Sequence, residues 1–221
     1  YEPASGWGQP VRINGGARLP MFPRLAVDGD GNAIVVFIRH DDENFRVSAA
    51  RYSAGAGWAG PVSIDAGPGA AAAYPDVAFG GNGMAIAAFT QSDGERMRIG
   101  AVNHTPGPGW AGRSMVDLEV RDNARFPDIA VDAEGNAIVV FVDYVWGEFY
   151  RVCTNRYENG AGWRGARAID TISGFGKTIP PRIAFDGAGN AVAVFTQKDW
   201  EANRRRVYAS RYVARVWPLI L

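Results

Sequence analysis

Cysteine is nearly absent from these 221 residues: Cys153 stands alone, which excludes an internal disulfide and leaves the redox compartment open. Lysine occurs only at 177 and 198, so arginine carries the basic charge, a bias expected of GC-rich bacterial coding. Basic and acidic residues balance at 23 each, and a chain without net charge has no field to draw it to nucleic acid. No apolar run approaches the roughly 20 residues that cross a bilayer, so membrane insertion is not expected. No charged-then-apolar leader opens the chain, and Tyr1 in place of an initiator methionine reads as a processed terminus or the edge of a fragment. Histidine appears twice, at 40 and 104, with no Ser or Cys motif beside either, and no catalytic triad assembles from them.

What the chain has in quantity is glycine (28), tryptophan (7) and apolar side chains (47%), the mixture of a turn-rich β protein with a sizeable core. It is also repetitive. FPRLAVDGDGNAIVVF (22–37), YPDVAFGGNGMAIAAF (74–89), FPDIAVDAEGNAIVVF (126–141) and PPRIAFDGAGNAVAVF (180–195) align without a gap, with prolines at 23, 75, 127 and 181. The second half of each unit recurs as RVSAARYSAGAGW (46–58), RIGAVNHTPGPGW (98–110), RVCTNRYENGAGW (151–163) and a degraded RVYASRYVARVW (206–217). A period of about 50 residues marks a repeat architecture.

Each unit reads as four short strands. In the D-x-x-G-N turns, Gly31, Gly135 and Gly189 supply a left-handed residue, and Asp28, Asp132 and Asp186 cap the turn's own backbone. The following strand, NAIVVF, is apolar on both faces and must be covered on both. A β-sandwich strand would show one polar face; the blades of a β-propeller would not. The expected fold is therefore all-β, a four-bladed β-propeller with blades at 22–65, 74–118, 126–170 and 180–221. Residues 1–14 repeat the outer-strand segment and are expected to close the last blade, because a propeller edge left unpaired is a liability. If they do not close it, four blades make half of an eight-bladed ring built from two chains, so monomer and homodimer both stay open.

The stretch PRLAVDGDGNAIVVF resembles the opening of NHL-type propeller repeats, and the Gly-Trp turn with its outer strand resembles the Photorhabdus-lectin-like propeller lectins. This blade-level resemblance implies a binding module that is not an enzyme, with a glycan or protein ligand and an extracellular or cell-surface location. The lectins bear more blades and more tryptophans, so no sugar-binding position carries over residue by residue.

Features shared by all repeats read as structural. His104 occupies the register of Tyr52, Tyr157 and Tyr212, and Trp7, Trp58, Trp110, Trp163 and Trp217 read as anchors of the outer-strand turns, with one inter-blade site per repeat as the lectin alternative. DGDGN (28–32) begins like a calcium loop, but Ala33 and Arg39 stand where glycine and the bidentate Glu belong, so no metal is expected. GFGKT (174–178) lacks the leading glycine and the helix of a phosphate loop, and no cofactor is expected.

Function is sought where the repeats differ. The loops between second and third strands bring Tyr144, Trp146 and Trp200 as flat apolar faces, with Asp41, Asp93, Asp143, Asp199 and Glu201 as acceptors. Aromatic platforms beside carboxylates grip sugars, and loops on a rigid frame carry binding. The reading that follows is a non-enzymatic, carbohydrate-binding module with no catalytic residue. A protein-interaction scaffold comes second. A hydrolase or lyase comes third, using carboxylates near the axis, where Arg24, Asp76, Asp128 and Arg182 share one register.

Overall fold

The computed structural model describes residues 6–16, 18–40, 44–65, 71–81, 83–117, 123–146, 149–170, 174–175, 179–199 and 204–214. The repeats become four antiparallel sheets with no helix among these residues. The first blade holds β1 (Arg18–Val27), β2 (Ala33–His40), β3 (Phe45–Ser53), β4 (Gly57–Trp58) and β5 (Val62–Ser63). The second holds β6 (Ala72–Phe79), β7 (Ala85–Ser92), β8 (Met97–Thr105) and β9 (Gly109–Met115). The third holds β10 (Asn123–Val131), β11 (Ala137–Trp146), β12 (Phe149–Glu158), β13 (Gly162–Trp163), β14 (Arg167–Ala168) and β15 (Gly174–Phe175). The fourth holds β16 (Arg182–Phe185), β17 (Ala191–Asp199) and β18 (Arg204–Tyr212). The all-β, four-bladed propeller is the observed architecture.

The turn motif acts as the sequence implies. Asp28 Oδ1 accepts from the N–H groups of Asp30 and Asn32 at 3.0 and 2.8 Å, and Asn32 Nδ2 donates back to Asp28 Oδ2. The asparagine does more than close the turn: Asn32 Oδ1 accepts from Ala54 N, Asn136 Oδ1 from Asn159 N and Asn190 Oδ1 from Ala214 N, each at 3.1 Å. The first hairpin of a blade is thereby tied to its second.

Alternate residues of the second strand face opposite neighbours. Ile34 and Val36 pack with Val47 and Ala49 against Val77, Ala85, Ala87 and Phe89 of the second blade. Ile86 and Ala88 of the second blade meet Ile129, Val139 and Phe141 of the third. Ile138 and Val140 of the third meet Ala191, Ala193 and Ile183 of the fourth. Each blade therefore has a leading face and a trailing face, and three joints hold the four blades in file.

The expected closing strand at 9–14 is corrected by this arrangement. Those residues carry no strand, and the fourth blade is three-stranded among the described residues. Ile13 instead packs over Val35, Phe37 and Ala50, on the leading face of the first blade. Among the described residues β18 pairs with β17 alone, and no apolar cluster joins the fourth blade to the first. Trp7 is exposed, unlike the repeat's other described tryptophans. Those do act as anchors: Trp58 and Trp163 lie 5.4 Å from Tyr52 and Tyr157, and Trp110 lies 5.1 Å from His104.

Candidate active site

The innermost strands of the first three blades each bulge at one repeated place. Pairing slips between Met21 and Arg24, between Ala73 and Asp76, and between Arg125 and Asp128. An aromatic residue sits in each bulge with left-handed backbone: Phe22 (φ 51°), Tyr74 (φ 49°) and Phe126 (φ 57°). A bulky side chain at positive φ is strained, and such strain persists only where the surroundings dictate it. Here the three rings form a row across the blades, with centroids 5.9 Å apart from Phe22 to Tyr74 and 4.4 Å from Tyr74 to Phe126. The fourth repeat has Pro180 at this register, so the row ends there.

Two residues after each aromatic comes Arg24, Asp76 or Asp128, and Arg182 holds the same place in the fourth blade. Asp76 Oδ2 accepts from Ile129 N of the next blade at 2.9 Å. Asp128 repeats the contact one blade on, accepting from Ile183 N at 2.7 Å and from Arg182 Nη1 at 2.7 Å. Burial, reinforced by the neighbouring Asp128 charge, pushes the Asp76 carboxyl up to about 6. Burial also raises Asp128, against the opposing pull of the Ile183 N–H and the Arg182 guanidinium. Two interacting carboxyls, one of them an acid near neutral pH, thus lie beside an aromatic row and two guanidiniums.

The residues singled out in the loops are spread over different blades. Tyr144 is half-buried and pairs in register with Asn123 and Tyr150, while the neighbouring Asp143 is buried opposite Ala124 and Arg151. Asp93 forms its own turn: it accepts from the N–H groups of Arg96 and Glu95, and these bonds pull its carboxyl down to about 2. Trp146 ends β11 and Asp199 ends β17. Asp41, Trp200 and Glu201 lie outside the described residues. Among the described residues no group of three or more His, Cys, Asp or Glu is placed to hold a metal ion. The Cys153 thiol is pushed up to about 12 by burial and is no nucleophile.

One cleft of about 890 Å³ opens between the third and fourth blades, lined in part by Ile138, Arg156, Arg164, Arg211 and Tyr212. Arg156 lies over the Tyr212 ring, 5.3 Å from its centroid. At the two earlier joints Trp110 and Trp163 pack against the corresponding apolar clusters. The cleft is lined by residues of this joint alone and includes none of Tyr74, Asp76, Phe126 and Asp128, so it is separate from the site on the inner strands.

No protein-family model and no curated protein matches the chain. Solved structures do. A Hadza microbial sialidase is 12% identical over 85% of this chain and 43% of its own, with a TM-score of 0.58. The GH93 α-L-arabinofuranosidase of Fusarium graminearum, solved with arabinobiose, is 11% identical over 90% of this chain and 65% of its own, with a TM-score of 0.57. A PL25 ulvan lyase is 11% identical over 84% of this chain and 49% of its own, with a TM-score of 0.53. The chain thus spans from under half to about two thirds of the length of these proteins.

Similarity at this level establishes the propeller fold. It also corrects the reading as a non-enzymatic binding module, since the propellers found are glycoside hydrolases and polysaccharide lyases. The sequence misled because a repeated scaffold draws attention to its variable loops. The repeated aromatic before proline, Phe22, Tyr74 and Phe126, was the signal that pointed instead to the inner strands.

Proposed function

We propose that this propeller cleaves glycosidic bonds, with Asp76 as the acid and Asp128 as its partner carboxylate. The carrying observation is the Asp76 carboxyl, which burial and the adjacent Asp128 push up to about 6. An acid so tuned keeps its proton at mildly acidic pH and can pass it to the leaving-group oxygen. Asp128, held by Arg182 and the Ile183 N–H, is the group to activate water or to attack the sugar. Tyr74 and Phe126 offer ring faces on which a sugar's C–H face stacks.

Arg24 and Arg182 at the same register favour an acidic sugar and give a second reading, a lyase that abstracts a proton beside a uronate carboxylate. A polymeric glycan is the ligand in both readings, and an extracellular or cell-surface place belongs to the same proposal, since polysaccharides are met there. The likeness to NHL-type and Photorhabdus-lectin-like repeats enters only as an account of the blade's turns.

The test is a panel of neutral and uronate-rich polysaccharides, read by new reducing ends and by the ultraviolet absorbance of unsaturated products. Reducing ends without that absorbance support hydrolysis, and the absorbance supports the lyase. Asp76→Asn keeps an acceptor for the Ile129 N–H and is expected to lower the rate by about 100-fold or more while the fold persists. Wild-type protein that cleaves nothing, or a variant as fast as wild type, sinks the proposal.

A further inference from the structure

We propose that the cleft between the third and fourth blades is a second binding site, one that takes an oxyanion, carboxylate or sulfate, carried on a body with an apolar face. Its lining is of two kinds. Ile138, Val140 and Ile183 give an apolar wall, and the guanidiniums of Arg156, Arg164, Arg167 and Arg211 stand around it with Glu158 as the single carboxylate. A cleft of about 890 Å³ lies within the roughly 300–1,000 Å³ of small-ligand sites, whose linings are likewise mostly apolar with a few placed polar groups.

The charge belongs to this joint and not to the repeat. Arg164 stands at the register of Ala59 and Ala111, and Arg167, opposite Thr154, at the register of Val62 and Ser114. Small or apolar side chains serve there in the first two blades, so neither the turn nor the outer strand requires a guanidinium. Like charges gathered in one cleft repel, and an anion bound among them relieves that repulsion.

Only part of this charge is answered within the described residues. Glu158 accepts from Arg156 and from Arg164, and Arg156 lies over the Tyr212 ring at 5.3 Å. That contact holds one guanidinium plane and one ring in a fixed arrangement. Arg167 and Arg211 make no ion pair among the described residues. Asp186, whose carboxyl the Arg211 charge helps to lower, is engaged by its own turn, accepting from Asn190 and from Ala188 N. The third blade thus brings one guanidinium without a carboxylate and the fourth brings another, both exposed at the same cleft. Planar forks of this kind hold carboxylate and sulfate through paired hydrogen bonds. The apolar wall then favours an oxyanion attached to a larger body over the bare ion. Binding here does not require cleavage at Asp76.

Isothermal titration of the full chain tests this, with digalacturonate, a sulfated disaccharide, sodium sulfate and neutral lactose as probes. The two acidic disaccharides are expected to bind at least about 10-fold more tightly than sulfate, more weakly as salt is raised, and lactose not at all. Arg167→Gln and Arg211→Gln, both at exposed positions, are each expected to weaken the acidic disaccharides by about 10-fold with unchanged far-ultraviolet circular dichroism. Arg24→Gln on the inner strands and Arg204→Gln, an exposed guanidinium of β18 outside the cleft, are expected to leave the affinity as it was. No heat from either acidic disaccharide overturns the proposal, as does sulfate binding as tightly as they do. A loss with Arg24→Gln equal to that with Arg167→Gln would move the binding to the inner strands, and an equal loss with Arg204→Gln would make it diffuse attraction to surface charge; either result overturns the proposal too.

Discussion

Asp76 shows how one side chain can join structure to chemistry. Its carboxylate accepts the Ile129 N–H and so stitches the second blade to the third, yet burial and Asp128 raise its pKa from 3.8 to about 6. A carboxyl whose folded pKa lies above its unfolded value binds its proton more tightly in the native state. The stability this contributes is complete below the unfolded value and is lost as pH rises through about 6. Asp76→Asn cannot ionise and keeps the acceptor oxygen, so it removes that slope. Thermal melts of the two proteins are expected to shift relative to one another between about pH 4 and pH 7, with the variant gaining on wild type as pH rises. A difference in Tm that stays constant over this range would contradict the assignment. If the proposed function holds, cleavage falls over the same interval, because the acid must carry its proton to act.

Within a blade, the strands are held by a brace that recurs at fixed spacing. Arg46, Arg98 and Arg151 open the third strands, and each ion-pairs with the aspartate 19 residues later, Asp65, Asp117 or Asp170. The first pair is the most enclosed: Arg46 meets both oxygens of Asp65, at 2.8 and 2.5 Å, and Asp65 Oδ2 also accepts from Val47 N. Removing one partner of such a pair leaves a buried charge, which costs about 3–5 kcal/mol, whereas replacing both with apolar residues of similar size is close to neutral. Asp65→Ala is therefore expected to lower the urea midpoint sharply, and Arg46→Met with Asp65→Leu to recover most of the loss. A single variant as stable as wild type would show the brace to be dispensable. The four strands, the turns and the doubly buried second strand were legible in the repeat; the brace was not singled out there, although its spacing is constant. The bulge was not. An aromatic before proline reads as extended backbone entering a strand, and its left-handed conformation follows from packing of Phe22, Tyr74 and Phe126 across blades, which no single repeat contains.

At the scale of the whole molecule, every blade packs on its sequence neighbours and stability is carried by the joints. Sequence could show that residues 1–14 repeat the outer-strand segment without showing that 9–14 form no strand and that Ile13 packs on the first blade. That depends on the small rotation at each joint, summed along the file. The central joint can be cut at one place. Gly81 N donates to Asp132 O at 3.4 Å, and a Cβ on Gly81 would stand 2.9 Å from Ala133 O and 3.0 Å from Ala133 Cα. These are backbone atoms, so no rotamer change relieves the clash, and Gly81→Val must push the second and third blades apart. Gly60, around which a Cβ meets nothing within 4 Å, gives the control. Nearest-neighbour coupling then makes a specific demand on calorimetry. Wild type and Gly60→Val are expected to unfold in one cooperative transition, while Gly81→Val splits it, the two halves of the file melting at separate temperatures. A Gly81→Val endotherm that merely moves down as one peak would mean that the blades are coupled through more than their adjacent joints.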